Sequence, residues 1–222
     1  MSKHKQLLDL ASKRQRTRWD GYACIADVHS GVYECNYVSP YTKSANNVDA
    51  SIMVLLQDWS SYSRLFNKPI DEDSRDLGHS RNFPTNRNLK TLLSETFGMD
   101  LKDTYATNLF PFIKPGGISS KIFRIDLVRA ALEFAIPQIE IVSPRLVICL
   151  GLETFNAVRI ASNYKASPNL SVALENSFLV SGSSVWCQAH TGARGQNTRN
   201  SANKQQSSED WKRMQSIVGK KV

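Results

Sequence analysis

None of the four cysteines, Cys24, Cys35, Cys149 and Cys187, stands in a Cys-x-x-Cys pair. The ligand spacing of zinc sites and iron–sulfur clusters is therefore missing, and no metal or other cofactor is expected. Cys149 and Cys187 instead sit inside apolar runs, where a thiol packs as a small hydrophobe. That usage suits a reducing compartment. Nor does any apolar run approach the roughly 20 residues that a membrane-crossing helix needs. The opening stretch MSKHKQLLDLASKRQRTRW has no apolar signal-peptide core. The expectation is a cytoplasmic protein, nucleoid-associated, or nuclear in a eukaryote, with no membrane partner. No GxxxxGK phosphate loop follows any strand-like run, which counts against an enzyme of free nucleotides. No internal repeat is evident, and the one biased segment, GARGQNTRNSANKQQSS, reads as a polar loop.

What is present begins with charge. Lys and Arg number 28 against 20 Asp and Glu, a formal charge of +8. That excess points to an anionic partner, nucleic acid being the commonest, or serves solubility alone. With 41% hydrophobic residues among 222, the chain can bury one core, so a single domain over 1–222 is expected, working as a monomer. Leu7, Leu8, Leu10 and Ala11 at helical spacing predict a basic N-terminal helix within about 1–20 that lays an apolar stripe on the domain. Its Lys13, Arg14, Arg16 and Arg18 read as a solvated face that could touch phosphate.

Four short apolar, β-branched runs have the length and composition of buried strands: SIMVLLQ (51–57), TYATNLF (104–110), RLVICLG (145–151) and SVWCQAH (184–190). Helical patterns lie between them. NRNLKTLLSETFG places Leu89, Leu92, Leu93 and Phe97 on one face, and SSKIFRIDLVRAALEFAIPQIEIVS places Ile125, Val128, Leu132 and Ile136 on another. Ser119 or Ser120 is expected to cap the second of these helices, and Pro137 to kink or end it. LETFNAVRIAS follows the third strand, and SSEDWKRMQSIVGKK closes the chain as a helix with an acidic start and a basic end. Strands alternating with helices predict the α/β class, a three-layer α/β/α sandwich with a central four-stranded parallel sheet.

In such a sheet, ligands collect outside the carboxyl ends of the strands. The first strand delivers Gln57 and Asp58 there, the second carries Asn108 near its end, the third ends in Gly151 and the fourth in His190. Singly, each has an ordinary reading: Asp58 as a helix cap, Asn108 as a turn residue, His190 as a histidine at the sheet edge. Together they supply the parts for cleaving a bond at a sugar carbon. A carboxylate orients water and stabilises an oxocarbenium-like centre, and a histidine opposite stabilises charge on the departing group. An amide reads the edge of a base.

At these residues the chain resembles the uracil-DNA glycosylase superfamily. VLLQDWSSY is similar to the first active-site motif, a strand followed in the best-known branch by Gln-Asp-Pro-Tyr. HTGARG is similar to the second, a strand-terminal His-Pro-Ser-Pro followed by a loop that enters the DNA minor groove. NFPTNRNLKTLL, TNLFPF and PRLVICLGLETFNAV resemble the superfamily's segments between them, in the same order, over about 51–200. The resemblance implies a monofunctional DNA glycosylase of base excision repair that flips uracil, or a related deaminated or damaged base, out of DNA and leaves an abasic site. It implies that Asp58 positions or activates the attacking water, with Gln57 lining the pocket beside it. Phe83 then stacks on the flipped base, Asn108 bonds its edge and His190 stabilises the leaving anion. Arg194 and Arg199 grip phosphate or fill the space of the extruded base. Lys114, ahead of two glycines in FIKPGGISS, marks either a phosphate-binding loop or a plain turn.

The departures carry expectations too. Trp59 and Ser60 replace the Pro and Tyr of the first motif, which leaves the exclusion of thymine to Trp59 or Tyr62. Thr191, Gly192 and Ala193 replace Pro-Ser-Pro, which predicts a more mobile wedge. Neither motif holds a lysine, which argues for hydrolysis over Schiff-base chemistry. The alternative is a catalytically inactive protein of this fold that binds DNA or a protein partner.

Overall fold

The computed structural model describes residues 1–200 and 205–219. After α1 (Lys3–Arg16) the chain reaches β1 (Ile52–Asp58), α2 (Tyr62–Leu65), α3 (Glu72–Leu77), α4 (Pro84–Phe97) and β2 (Tyr105–Phe110). Next come α5 (Arg124–Ala130), a π-helical stretch (Ala131–Ala135), α6 (Ile136–Val142), β3 (Leu146–Leu150), α7 (Leu152–Ala161) and α8 (Leu170–Ala173). The last elements are β4 (Phe178–Val180), β5 (Ser183–Gln188), α9 (Ala193–Arg199) and α10 (Gln206–Gly219).

The α/β class is the one expected, but the sheet has five strands rather than four, in the order β2-β1-β3-β5-β4. The four expected strands are the parallel ones. The extra strand, β4, pairs antiparallel with β5 at the edge. It is joined by a two-residue hairpin turn in which Ser181 (φ 47°) and Gly182 (φ 88°) are both left-handed, as the right-handed twist of a hairpin requires. The Ser-Gly pair inside FLVSGSSV was its signal.

Strand side chains alternate between faces. Met53 and Leu55 of β1, with Val147, Cys149, Val185 and Cys187, share a core with α1, α5, α6 and α7. Ile52, Val54 and Leu56, with Ile148, Leu150 and Trp186, share the opposite core with α4 and α10. Helices thus cover both faces, in three layers. Cys149 and Cys187 are register neighbours on β3 and β5, fully buried and unbonded. Burial pushes both thiols up, that of Cys187 to about 12.

Three local expectations are corrected. Pro137, expected to kink or end its helix, does not end it: a π turn just ahead of it absorbs the missing amide donor, and the helix runs on to Val142. Neither Ser119 nor Ser120 caps α5; Phe123 holds that position, while the Ser120 hydroxyl accepts from the Gly117 amide. Arg14 is 1% exposed rather than solvated, because its guanidinium bonds Glu34 and the carbonyls of Cys35 and Tyr37. Lys220 and Lys221, the expected basic end of the last helix, lie outside the described residues, as do residues 201–204 of the polar segment. Among the described residues no helix is long and apolar enough to cross a membrane.

The strand order places a topological switch between β1 and β3, because the chain leaves β1 for β2 on one side and returns on the other. The crevice beyond the strand ends there is where this architecture holds ligands.

Candidate active site

At that crevice lies a cavity of about 560 Å³ whose wall includes Asp58, Phe83, Asn108, Lys114 and His190. Strand parity explains the gathering. Leu56 faces the α4 and α10 side, so Asp58 does too; Asn108 is the register partner of Leu56 on β2. Trp186 faces the same side, and His190 continues that parity beyond β5. Gln57 has the opposite parity and does not line the cavity. Its expected place beside Asp58 is corrected by the pleat, a signal present in the sequence.

Lys114 is not a phosphate-binding loop residue but part of this wall. It is 4% exposed, with Nζ 3.0 Å from Asp58 Oδ2 and donating to the Ile118 carbonyl at 2.8 Å. A buried ammonium needs an anion, and Asp58 supplies it. The loop around it is a turn, pinned to its neighbours: Ile113 donates to the Ala23 carbonyl, and the amides of Tyr62 and Ser63 donate to the carbonyls of Lys114 and Gly116. Burial raises the pKa of Asp58, while Lys114 and then His190 oppose the rise. The absence of lysine from both motifs therefore did not mean its absence from the pocket.

His190 is oriented by its own loop. The Gly192 amide donates to Nδ1 at 2.9 Å, so in the neutral ring Nδ1 accepts and Nε2 carries the proton. Burial lowers the pKa of His190, and Asp58 partly offsets this, which favours that neutral form. The close fold-back requires both glycines of HTGARG. A Cβ on Gly192 would lie 2.9 Å from Nδ1, and one on Gly195 would lie 2.9 Å from the His190 Cβ and overlap its carbonyl. The Thr191 hydroxyl donates to the Thr85 carbonyl at 2.9 Å, and the Asn88 amide to the Thr191 carbonyl at 2.8 Å. The residues of the expected wedge form a short helix, α9, and these bonds tie Thr191, just ahead of it, to α4.

Asn108 is 1% exposed. Its Oδ1 accepts from the Ser39 hydroxyl at 2.6 Å, and that hydroxyl accepts from the Tyr41 amide at 3.2 Å. The chain of bonds fixes the amide with Nδ2 as the spare donor, and Nδ2 has no partner among the described residues. Two more cavity-wall atoms share that condition, Ser60 Oγ and His79 Nε2. His79 stacks on Tyr41 at 4.9 Å, with its Nδ1 3.0 Å from Ser44 Oγ. Unpaired buried polar atoms each cost about 1–3 kcal/mol, and a polar ligand seated in the cavity would satisfy all three. Sequence reasoning missed Ser39 and His79, which lie in or beside irregular segments without periodic signals, and read Ser60 only as a replacement for the first motif's Tyr.

Phe83 sits at the start of α4 and lines the cavity, with the Arg64 guanidinium 3.6 Å over its ring. One face of the ring expected to stack on a base is thus already covered. Trp59 lines the cavity, held by its Nε1–H donating to the Gly78 carbonyl at 2.7 Å, whereas Tyr62 stacks on Phe66 away from it. Arg194 is exposed on α9. Arg199 is not free for phosphate: its fork meets the carboxylate of Asp210 at 2.6 and 2.9 Å, and Asp210 is 2% exposed. A buried carboxylate claims the nearest guanidinium.

Among the described residues no group of three or more His, Cys, Asp or Glu gathers to hold a metal ion. The chain matches no protein-family model and no curated protein.

Proposed function

We propose that the protein is a DNA glycosylase that hydrolyses the N-glycosidic bond of uracil, or of a related deaminated or damaged base, in DNA. The observation that carries this reading is one cavity walled by a carboxylate, an imidazole that holds its proton on Nε2 and a buried amide with a spare donor. Asp58, paired with Lys114, orients water and stabilises positive charge growing at C1′. His190 donates from Nε2 to the leaving base without first needing to be charged. Asn108 Nδ2 bonds a carbonyl acceptor on the base edge, which favours oxo bases over those presenting an amine. Of the two aromatics that could exclude a thymine methyl, Trp59 and Tyr62, it is Trp59 that lines the cavity, and it takes that role.

Hydrolysis needs no lysine adduct. The Lys114 amine is engaged as the cation of an ion pair, and the reading keeps the enzyme monofunctional. The test is base release from single- and double-stranded oligonucleotides carrying one uracil, with thymine and hypoxanthine controls, followed by alkaline cleavage of abasic sites. Cleavage at uracil that is lost in Asp58→Asn is the expected result. DNA binding with no base released from any substrate would refute the glycosylase and favour a binding protein of this fold.

A further inference from the structure

Arg64 lines the cavity, half-buried, with its guanidinium face 3.6 Å from the Phe83 ring. Stacking uses the face of the group and leaves its five N–H donors pointing outward in the plane. None of them has a hydrogen-bond or ion-pair partner among the described residues. Burial pushes the guanidinium pKa down, and the carboxylate of Asp71, which lines the same cavity and accepts from the Ser74 amide at 2.7 Å, opposes this without closing to an ion pair. Lys68, four residues on, is exposed, lines the same cavity and is likewise without an anion.

Depth sorts the cavity's polar groups. The unpaired neutral atoms of Ser60, His79 and Asn108 belong to residues under 8% exposed. The two unpaired cations are the more exposed, at the rim. A nucleotide entering base first would meet neutral donors with its base and cations with its phosphate.

We propose that Arg64 and Lys68 form a phosphate subsite of this cavity, with Phe83 holding the Arg64 fork edge-on to the phosphate oxygens. The inference rests on the nucleotide reading above and adds a site to it. A phosphodiester of DNA and the monoester of a free nucleotide share this chemistry, and the test separates them.

Binding of a fluorescent uracil-containing duplex is measured by anisotropy from 50 to 200 mM salt for wild type, Arg64→Gln, Arg64→Lys and Lys68→Gln. Each duplex phosphate contact adds about 0.9 to the slope of log K against log salt. Arg64→Gln and Lys68→Gln should each lower the slope by about that amount, so the wild type's advantage shrinks about 3.5-fold across this salt range. Arg64→Lys should keep the slope while losing affinity, because the charge survives and the fork does not. Lys68 is exposed, so its variant reads the subsite even if Arg64→Gln folds poorly. In parallel, thermal protection by deoxyuridine monophosphate is compared with that by deoxyuridine. Protection that needs the phosphate, is lost in Arg64→Gln and is not matched by DNA binding would assign the subsite to free nucleotides. Normal DNA binding with unchanged slopes in both glutamine variants overturns the subsite and leaves the glycosylase reading standing. Failure of wild type to bind either ligand overturns both.

Discussion

Replacing Lys114 with Met keeps the apolar stem and deletes the charge that faces Asp58. At 3.0 Å and an effective dielectric of about 20, the attraction removed is about 5 kcal/mol. Truncating one partner of a buried pair costs about 3–5 kcal/mol. Asp58 is 14% exposed and can relieve itself by taking up a proton, so the low end applies, about 3 kcal/mol. In a chain of this size that lowers Tm by about 6–12 °C at pH 7. The pH dependence has a definite sign. Burial already holds the folded pKa of Asp58 above its unfolded value, so the fold binds that proton more tightly than the unfolded chain does. Stability is therefore full below the unfolded carboxylate pKa and is lost as pH rises through the folded one. Without Lys114 the folded pKa climbs further, so the deficit of Lys114→Met shrinks on going from pH 7 to pH 5. In base-release assays the acid limb of the pH–rate profile moves to higher pH, and Arg at 114 restores it. A Tm deficit equal at both pH values, with an unmoved acid limb, would show that Lys114 does not set the charge of Asp58.

Other substitutions test the supports around the site. Arg199→Ala strands the buried carboxylate of Asp210 and should cost about 3–5 kcal/mol in chemical denaturation, with the salt slope for DNA unchanged; a slope reduced by one phosphate would restore Arg199 to the DNA interface. Gly195→Ala pushes a methyl group into the His190 backbone. It should cut base release at least tenfold while duplex affinity holds within about twofold, since about 1.4 kcal/mol of misplacement suffices for tenfold; full activity would show that α9 yields freely. Ser39→Ala frees the Asn108 amide to turn over, at about 1 kcal/mol. Selectivity for uracil over cytosine should fall several-fold in competition assays, and unchanged selectivity would mean that the amide is fixed elsewhere.

The parallel strands were legible because four short apolar runs bounded by helical patterns admit few other arrangements. Their end residues Asp58, Asn108 and His190 followed from the rule for where such sheets bind ligands. The strand pleat, also legible, sends Gln57 to the far face. Lys114, read as a phosphate-binding or a turn residue, and Arg199, read as gripping phosphate or filling the space of the extruded base, both have partners that the sequence hides for one reason. Charged residues in polar, glycine-rich stretches look solvated until a distant carboxylate, Asp58 or Asp210, is folded against them. Ser39, His79 and Arg64 come from turns and the one-turn helix α2 between 39 and 80, where no periodicity ties a residue to the strand ends.

The paired cysteines of β3 and β5 make the sheet its own chemical clock. A thiol reagent reaches Cys149 or Cys187 only when the layer of α1, α5, α6 and α7 lifts from that face of β3 and β5, and in that opened state their pKa values return to about 8.5 and they react fast. Cys35, half-buried, is modified first and sets the reference rate. The lag between that first modification and the loss of the two sheet thiols then measures the free energy of that opening. A nucleotide seated across the strand ends should lengthen that lag in proportion to how firmly it ties β1 to its neighbours.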